Sequence, residues 1–123
     1  MPMLNLDTHV LVFALSGELR RREKQLLGES DWGISSIVLR EIAKLVQLGR
    51  LDLDLENREV ARVLRGVHVW PIDLEVARAS TSLDFSGDPA DELIAATSVV
   101  HNVPLLTRDR AIRRSKLVPL AVR

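Results

Sequence analysis

The sequence has no cysteine and few aromatic residues, and each shortage excludes a kind of chemistry. Without cysteine there are no disulfides, zinc-thiolate sites, iron–sulfur clusters or thiol nucleophiles, so any metal must bind to oxygen or imidazole. The aromatic residues are two tryptophans and two phenylalanines. They are too few for an extended surface on which nucleic-acid bases would stack.

An excess of charge of one sign is also lacking, because 17 Lys and Arg residues balance 17 Asp and Glu residues. A nucleic-acid partner therefore cannot be inferred from overall charge, and any attraction for phosphate must be local. No apolar run approaches the roughly 18 residues of a membrane span, and the N-terminus lacks the basic and apolar regions of a signal peptide. We expect a cytoplasmic protein with no membrane segment.

The chain does have enough apolar residues for one hydrophobic core. It contains 123 residues, of which 46% are hydrophobic and 28% charged, close to the average for globular proteins. Its length predicts a single domain over residues 1–123. We find no internal repeat, linker or low-complexity tract.

Apolar patterns typical of strands alternate along the chain with patterns typical of helices. The predicted strands cover residues 3–6, 32–35, 67–72, 105–107 and 117–122. The predicted helices cover residues 10–14, 18–27, 37–48, 57–65, 74–83, 89–101 and 109–114. This alternation predicts an α/β fold, a three-layer α/β/α sandwich around a mainly parallel sheet.

Two acids directly follow predicted strands. Asp7 follows the first strand and Asp109 follows the strand at 105–107. In open parallel sheets reacting groups gather at the carboxyl ends of the strands, which makes both acids candidates for a site. The alternative is that each is only the N-cap of the next helix, a common role for Asp between a strand and a helix.

Two further acids lie on helices that are predicted to face the core. Glu41 lies one turn from Ile37 and one turn from Leu45, on an apolar stripe where an unpaired carboxylate is costly. It must therefore find a metal, a proton or a partner, the alternatives for a partner being Arg40, Lys44 or a neighbouring helix. Asp91 is the third residue of the helix that Pro89 begins, where the helix dipole alone explains an acid.

Convergence of these four acids would require a cation. Like charges about 4 Å apart repel by about 4 kcal/mol at an effective dielectric of about 20. Several adjacent carboxylates therefore cannot all stay ionised without a positive partner. Oxygen ligands suit Mg²⁺ or Mn²⁺, which can activate water for the hydrolysis of a phosphodiester.

Four segments resemble the PIN domain family, and more narrowly the VapC toxins of toxin–antitoxin pairs. They are LNLDTHVL at 4–11, SSIVLREI at 35–42, DPADELIAAT at 88–97 and PLLTRD at 104–109. The resemblance covers essentially the whole chain. It implies a metal-dependent endoribonuclease that is held inactive by a small antitoxin and commonly forms a homodimer.

Carried over residue by residue, the resemblance implies that Asp7, Glu41, Asp91 and Asp109 hold Mg²⁺ or Mn²⁺ and are catalytic. Thr8 and Thr107 match the supporting hydroxyl residues of the family. Family members vary at the position of Asp109, and in the family water can mediate the contact of this acid with the metal ion. Glu92 departs from the pattern, because relatives often carry a basic residue there.

RNA must be held beside these acids by local positive charge. The first group of candidates follows the strand at 105–107 and consists of Arg108, Arg110, Arg113, Arg114 and Lys116. A second basic group lies at residues 20–24. The alternative for each is a solvated side chain with surface ion pairs.

Two other functions remain open from the sequence. One is a PIN-like protein that binds RNA or a partner without cleaving, and the other is an aspartate-based phosphoryl-transfer domain. The second lacks support, because no second Asp lies two residues after Asp7 and no adjacent acid pair is present. No histidine has the spacing of a paired metal ligand, and we interpret His9, His68 and His101 as structural.

Overall fold

The computed structural model describes residues 1–122. Its elements in chain order are β1 (Met3–Leu6), α1 (Thr8–Ser16), α2 (Arg21–Gly28), β2 (Asp31–Ser35), α3 (Ser36–Gln47), α4 (Arg58–Arg65), β3 (His68–Trp70), α5 (Leu74–Ser80), α6 (Pro89–His101), β4 (Leu105–Leu106) and α7 (Arg110–Arg113). Each overlaps a predicted element, although α1 extends beyond the predicted residues 10–14 at both ends. The α/β fold is therefore confirmed.

The four strands form a parallel sheet in the order β3-β2-β1-β4, flanked by helices. The chain begins in the sheet with β1, moves outward through β2 and β3, and returns to the other side of β1 with β4. In the register of the central strands, Asn5 pairs with Gly33 on one side and with Leu105 on the other. The order reverses at β1, and parallel sheets form their binding crevice at this point.

The hydrophobic core joins the sheet to the helices on it. Its fully buried side chains include Leu6, Leu11, Ile34, Val38, Ile94, Leu105 and Ile112. Helix α6 contributes Ala95 and Ala96, which are completely buried and small enough to let the helix approach closely. Burial of apolar surface at about 25 cal/mol per Å² makes this contact a main source of stability.

Several helix ends follow the chemistry of their capping residues. Asp7, Ser35, Asn57, Asp73, Asp88 and Asp109 each accept a backbone hydrogen bond at the start of a helix. Gly17 (φ 76°) ends α1 and Asn102 (φ 52°) ends α6 in the left-handed conformation. Gly and Asn adopt it at lower cost than other residues do. Within residues 1–122, no helix has the length and apolar character to cross a membrane.

The predicted strand at residues 117–122 is wrong. Only Leu120 forms an isolated parallel bridge there, with Leu105. Pro119 has no N–H to donate to a ladder, and the side chain of Leu117 is 53% exposed. The segment pairs with the edge of the sheet only at Leu120, through two backbone hydrogen bonds to Leu105, and does not form a further strand. Helix α2 also begins later than predicted, at Arg21.

Candidate active site

Asp7 lies at the carboxyl end of β1 and is almost fully buried, with 3% exposure. Its Oδ1 accepts the backbone N–H of Thr8 at 2.8 Å, which caps α1. Its Oδ2 accepts the hydroxyl of Thr107 at 2.5 Å. Burial raises the pKa of Asp7 although both hydrogen bonds favour the ionised form. The helix cap uses only Oδ1 of Asp7, so the capping role does not exclude a role of this carboxylate in the site.

Thr107 connects the carboxyl ends of β1 and β4. While its hydroxyl donates to Asp7, its oxygen accepts the backbone N–H of Asp109 at 3.0 Å. Asp109 Oδ1 in turn accepts the N–H of Ile112 at 3.0 Å, as the N-cap of α7. One buried threonine thus fixes the loop that carries Asp109 against Asp7.

Glu41 is half-buried on α3 and faces α1. Its Oε1 accepts the hydroxyl of Thr8 at 3.0 Å. The alternative partner for Glu41 is thus found on a neighbouring helix, whereas neither Arg40 nor Lys44 forms an ion pair with it within residues 1–122 and Lys44 donates to Gln47. Thr8 therefore orients Glu41, and it directly follows Asp7, the acid at the end of β1.

The pKa of the Asp91 carboxyl is raised from its ordinary value of 3.8 to about 7, and burial is the largest cause. The remaining causes are the negative charges of four other acids, Asp88, Asp7, Asp109 and Glu41. All four candidate acids therefore act within a single negative field, although they come from four separate segments. Asp88 adds to this field while its Oδ1 caps α6 by accepting the N–H of Asp91 at 2.9 Å.

Asn5 joins the strand that leads to Asp7 to the helix that carries Asp91. Its side-chain Nδ2 donates to the backbone oxygen of Ile94 at 3.1 Å and to the hydroxyl of Ser98 at 2.9 Å. Side chains alternate along a strand, so Asn5 and Asp7 lie on the same side of β1. Ile94 lies one turn beyond Asp91, and this link therefore sets the spacing of the two acids.

Residues 5–116 match the model of the PIN domain family. The chain belongs to the PIN domain family. It is 32% identical over 115 residues to ribonuclease VapC22 of Mycobacterium tuberculosis, and the match covers 88% of each chain. This PIN domain is therefore related to the VapC ribonucleases.

Solved structures show the same fold at lower sequence identity. One is a toxin–antitoxin complex from Klebsiella pneumoniae, with 22% identity, a TM-score of 0.70, and coverage of 90% of this chain and 91% of that one. Another is VapBC2 from Rickettsia felis bound to a DNA fragment from its promoter, with 19% identity, a TM-score of 0.73 and 96% coverage of both chains. Both comparisons support the fold of this PIN domain.

The PIN family is generally metal-dependent, and the donors of this site suit a hard cation. All four acids offer only oxygen, and their mutual repulsion is the kind that a divalent ion relieves. As the side chains stand, no three His, Asp or Glu residues within residues 1–122 lie close enough to share one ion. Shared coordination therefore requires side-chain rotation, for example of Glu41 away from Thr8.

Arg108 is a predicted phosphate contact that lines the same hollow as Asp109, and its guanidinium is already engaged. Its Nε and Nη2 donate to the two carboxylate oxygens of Glu23 at 2.8 and 2.7 Å. The guanidinium also lies over the Phe13 ring, 4.0 Å from its centre. The other predicted contacts of this group are exposed, namely Arg110, Arg113, Arg114 and Lys116.

Three of these residues are not predicted from the sequence. Asn5 does give a signal, because it is an amide in an otherwise apolar strand, whereas the position of Asp88 before Pro89 is typical only of a helix cap. Glu23 gives no signal in the sequence, because its partner Arg108 is far away along the chain.

Proposed function

We propose that this PIN domain is a metal-dependent endoribonuclease toxin of a toxin–antitoxin system. The observation that carries the proposal is that Thr107 and Thr8 link Asp7, Asp109 and Glu41 by hydrogen bonds at the end of β1, where burial and these acids raise the pKa of Asp91 to about 7. Carboxylates that raise one another's pKa values in a crevice are typical of a functional site. The relation to ribonuclease VapC22 supports RNA as the substrate.

The proposed ligands are Asp7, Glu41, Asp91 and Asp109. Bound Mg²⁺ or Mn²⁺ supplies positive charge at the phosphodiester and activates water for in-line hydrolysis. Thr107 orients Asp7 and Asp109, while Thr8 holds Glu41 until a cation competes for it. In the metal-free molecule, burial and the charges of the other acids favour the protonated form of Asp91, which must release its proton to act as a ligand.

A small antitoxin is the proposed partner. The Klebsiella pneumoniae relative is a toxin–antitoxin complex and the Rickettsia felis relative is a VapBC complex, which supports an antitoxin for this chain. We further propose that the chain folds as a single domain, forms a homodimer and acts in the cytoplasm.

The test is cleavage of RNA by the purified chain in the presence of Mg²⁺ or Mn²⁺. Asp7→Asn and Asp91→Asn should each lower the cleavage rate at least about 100-fold, since loss of one group that stabilises transition-state charge costs about 10²–10³-fold. Asp31→Asn is the matched control, because Asp31 begins β2 at the opposite end of the sheet and is exposed. It should cleave like the parent.

Two results would contradict the proposal in different ways. Equal cleavage by the parent and both site variants would mean that these acids are not the catalytic groups. A folded parent chain that binds RNA but does not cleave it with either cation would favour a non-cleaving RNA-binding protein.

A further inference from the structure

Arg108 lines two neighbouring hollows in the surface. The first has a volume of about 290 Å³, is lined by His9, Phe13, Arg108 and Asp109, and adjoins the acids. The second has a volume of about 180 Å³ and lies between the start of α2 and α7. Its polar lining consists of Arg20, Arg22, Glu23, Thr107, Arg108 and Arg113, and we call it the basic pocket.

Among the described residues, most of the positive charge in the basic pocket is not neutralised. Glu23 is the one acidic side chain of residues 1–122 that lines it, and its carboxylate is paired with Arg108. Within residues 1–122, no carboxylate forms an ion pair with Arg20, Arg22 or Arg113. Three arginines without an ion pair in this part of the chain thus line one small hollow, and an anion there would relieve the repulsion of their charges.

The size and donors of the basic pocket indicate which anion it takes. Its 180 Å³ is below the roughly 300–1,000 Å³ of sites for drug-sized ligands. At about 30 Å³ per water, the pocket has room for a phosphate group with a few waters. The guanidinium group is planar and can donate two parallel N–H hydrogen bonds to two oxygens of one phosphate. Arginine side chains in the pocket therefore favour phosphate as the anion.

The basic pocket adjoins the proposed catalytic site. Thr107 lines the pocket and donates to Asp7, while Arg108 separates the pocket from the hollow beside Asp109. Glu23 and Phe13 fix this arginine in place. An RNA strand that crosses Arg108 would therefore place one phosphate in the pocket and another near the acids.

We propose that the basic pocket binds a backbone phosphate of the RNA strand adjacent to the phosphodiester that is cleaved. This inference rests on the proposed function, and it makes the start of α2 part of the substrate-binding surface. It joins the two basic groups that are far apart in the sequence, with Arg20 and Arg22 from one and Arg113 from the other. RNA, rather than an acidic protein segment, is favoured because the pocket shares residues with the acid site.

The test is binding of a fluorescein-labelled 12-nucleotide oligouridylate, followed by fluorescence anisotropy over a series of KCl concentrations. The full-length chain carries Asp91→Asn throughout, so that no cleavage interferes. Arg22→Ala and Arg113→Ala should each weaken binding about threefold, the effect of one exposed ion pair. Each should also reduce the slope of log K against log salt by about 0.7, the value for one phosphate contact in a single strand.

Arg65→Ala is the matched control for these variants. It removes one exposed positive charge at the end of α4, before β3 at the far edge of the sheet. Its affinity and salt slope should equal those of the parent. Far-UV circular dichroism should show the same helix content in all variants, since the substituted side chains are exposed.

Two results would overturn the inference. One is that Arg22→Ala and Arg113→Ala bind the oligouridylate as well as Arg65→Ala does. The other is that hexaglutamate binds to the parent and depends on both arginines while the oligouridylate does not, which would assign the pocket to an acidic protein segment. If the chain without Asp91→Asn fails to cleave RNA but both pocket variants lose affinity, the nuclease proposal fails and the pocket stands.

Discussion

At the scale of single residues, the acids of the site are held by short hydrogen bonds from hydroxyl groups. Thr107 serves Asp7, and Thr8 serves Glu41. Asp91 has no such donor among the described side chains and is surrounded by negative charge. Its proton therefore responds to pH and to cations within the physiological range.

This state of Asp91 predicts how stability depends on pH when no metal is present. Between the ordinary pKa of 3.8 and the folded value of about 7, the folded chain binds more protons than the unfolded chain. The free energy of unfolding must then fall as the pH rises across this window. The contribution is fully present below about pH 4 and is lost as the pH passes 7. Urea unfolding in EDTA at pH 5, 6, 7 and 8 measures this fall.

The matched comparison for this prediction is Asp91→Asn, which cannot ionise. Its unfolding free energy should fall less between pH 5 and pH 8 than that of the parent, and it should exceed the parent's at pH 8. Identical pH dependence of the two chains would show that Asp91 has an ordinary pKa. Mg²⁺ should reduce the fall in the parent, because a cation favours the ionised acid.

The residue scale is also where the sequence was most informative. Asp7 and Asp109 were identifiable because each directly follows a predicted strand, and Glu41 because an acid on an apolar stripe is costly. The hydrogen bonds that hold these acids were not predictable, because Thr107 and Asp7 come from opposite ends of the chain. The hydrogen bonds of Asn5 were not predictable for the same reason, since its acceptors lie on α6.

At the scale of elements, helix α2 is fastened to the end of β4 by Glu23 and Arg108. The exposed fractions of these two side chains are 8% and 23%, so water competes weakly for the pair. Glu23 also accepts the backbone N–H of Arg20 at 2.8 Å, which caps the same helix. The hydrogen bonds from Arg108 hold the pKa of Glu23 below its usual value. This contribution is present above the unfolded pKa and is lost as the pH falls through the lowered folded value.

Glu23→Gln should therefore destabilise the chain by about 2 kcal/mol, the typical worth of hydrogen bonds to a charged group. The matched control is Glu59→Gln on α4, whose partner is Arg62 at 2.8 Å and whose pair is 73% exposed on both sides. It should cost less than about 0.5 kcal/mol, as exposed pairs do. Urea unfolding at pH 7 measures both, and equal effects would contradict the assigned role of Glu23.

Prediction of the elements succeeded where capping residues mark their ends. The start of α6 follows from Asp88 and Pro89, and its end from Asn102. It failed at residues 117–122, where an apolar composition suggested a strand but Pro119 prevents a continuous ladder. A run of apolar residues indicates that a segment is buried, but it does not indicate whether the backbone of that segment pairs with a strand.

At the scale of the whole molecule, the order of the strands creates the site. The alternation of strands and helices predicts a parallel sheet but leaves the strand order open. Only the placement of β4 beside β1 brings Asp109 next to Asp7. Helix α6 then adds Asp91, and α3 adds Glu41. Long-range pairing decides these positions, and no local pattern encodes it.

The central claim is that these four acids share a divalent cation, and calorimetric titration of Mn²⁺ into the metal-free chain tests it most directly. We predict saturable binding that tightens from pH 6 to pH 8 as Asp91 loses its proton. Asp7→Asn and Asp91→Asn should each weaken it at least about tenfold, whereas Asp31→Asn should not. Absence of binding to the parent, or equal binding to all four chains, would contradict the account.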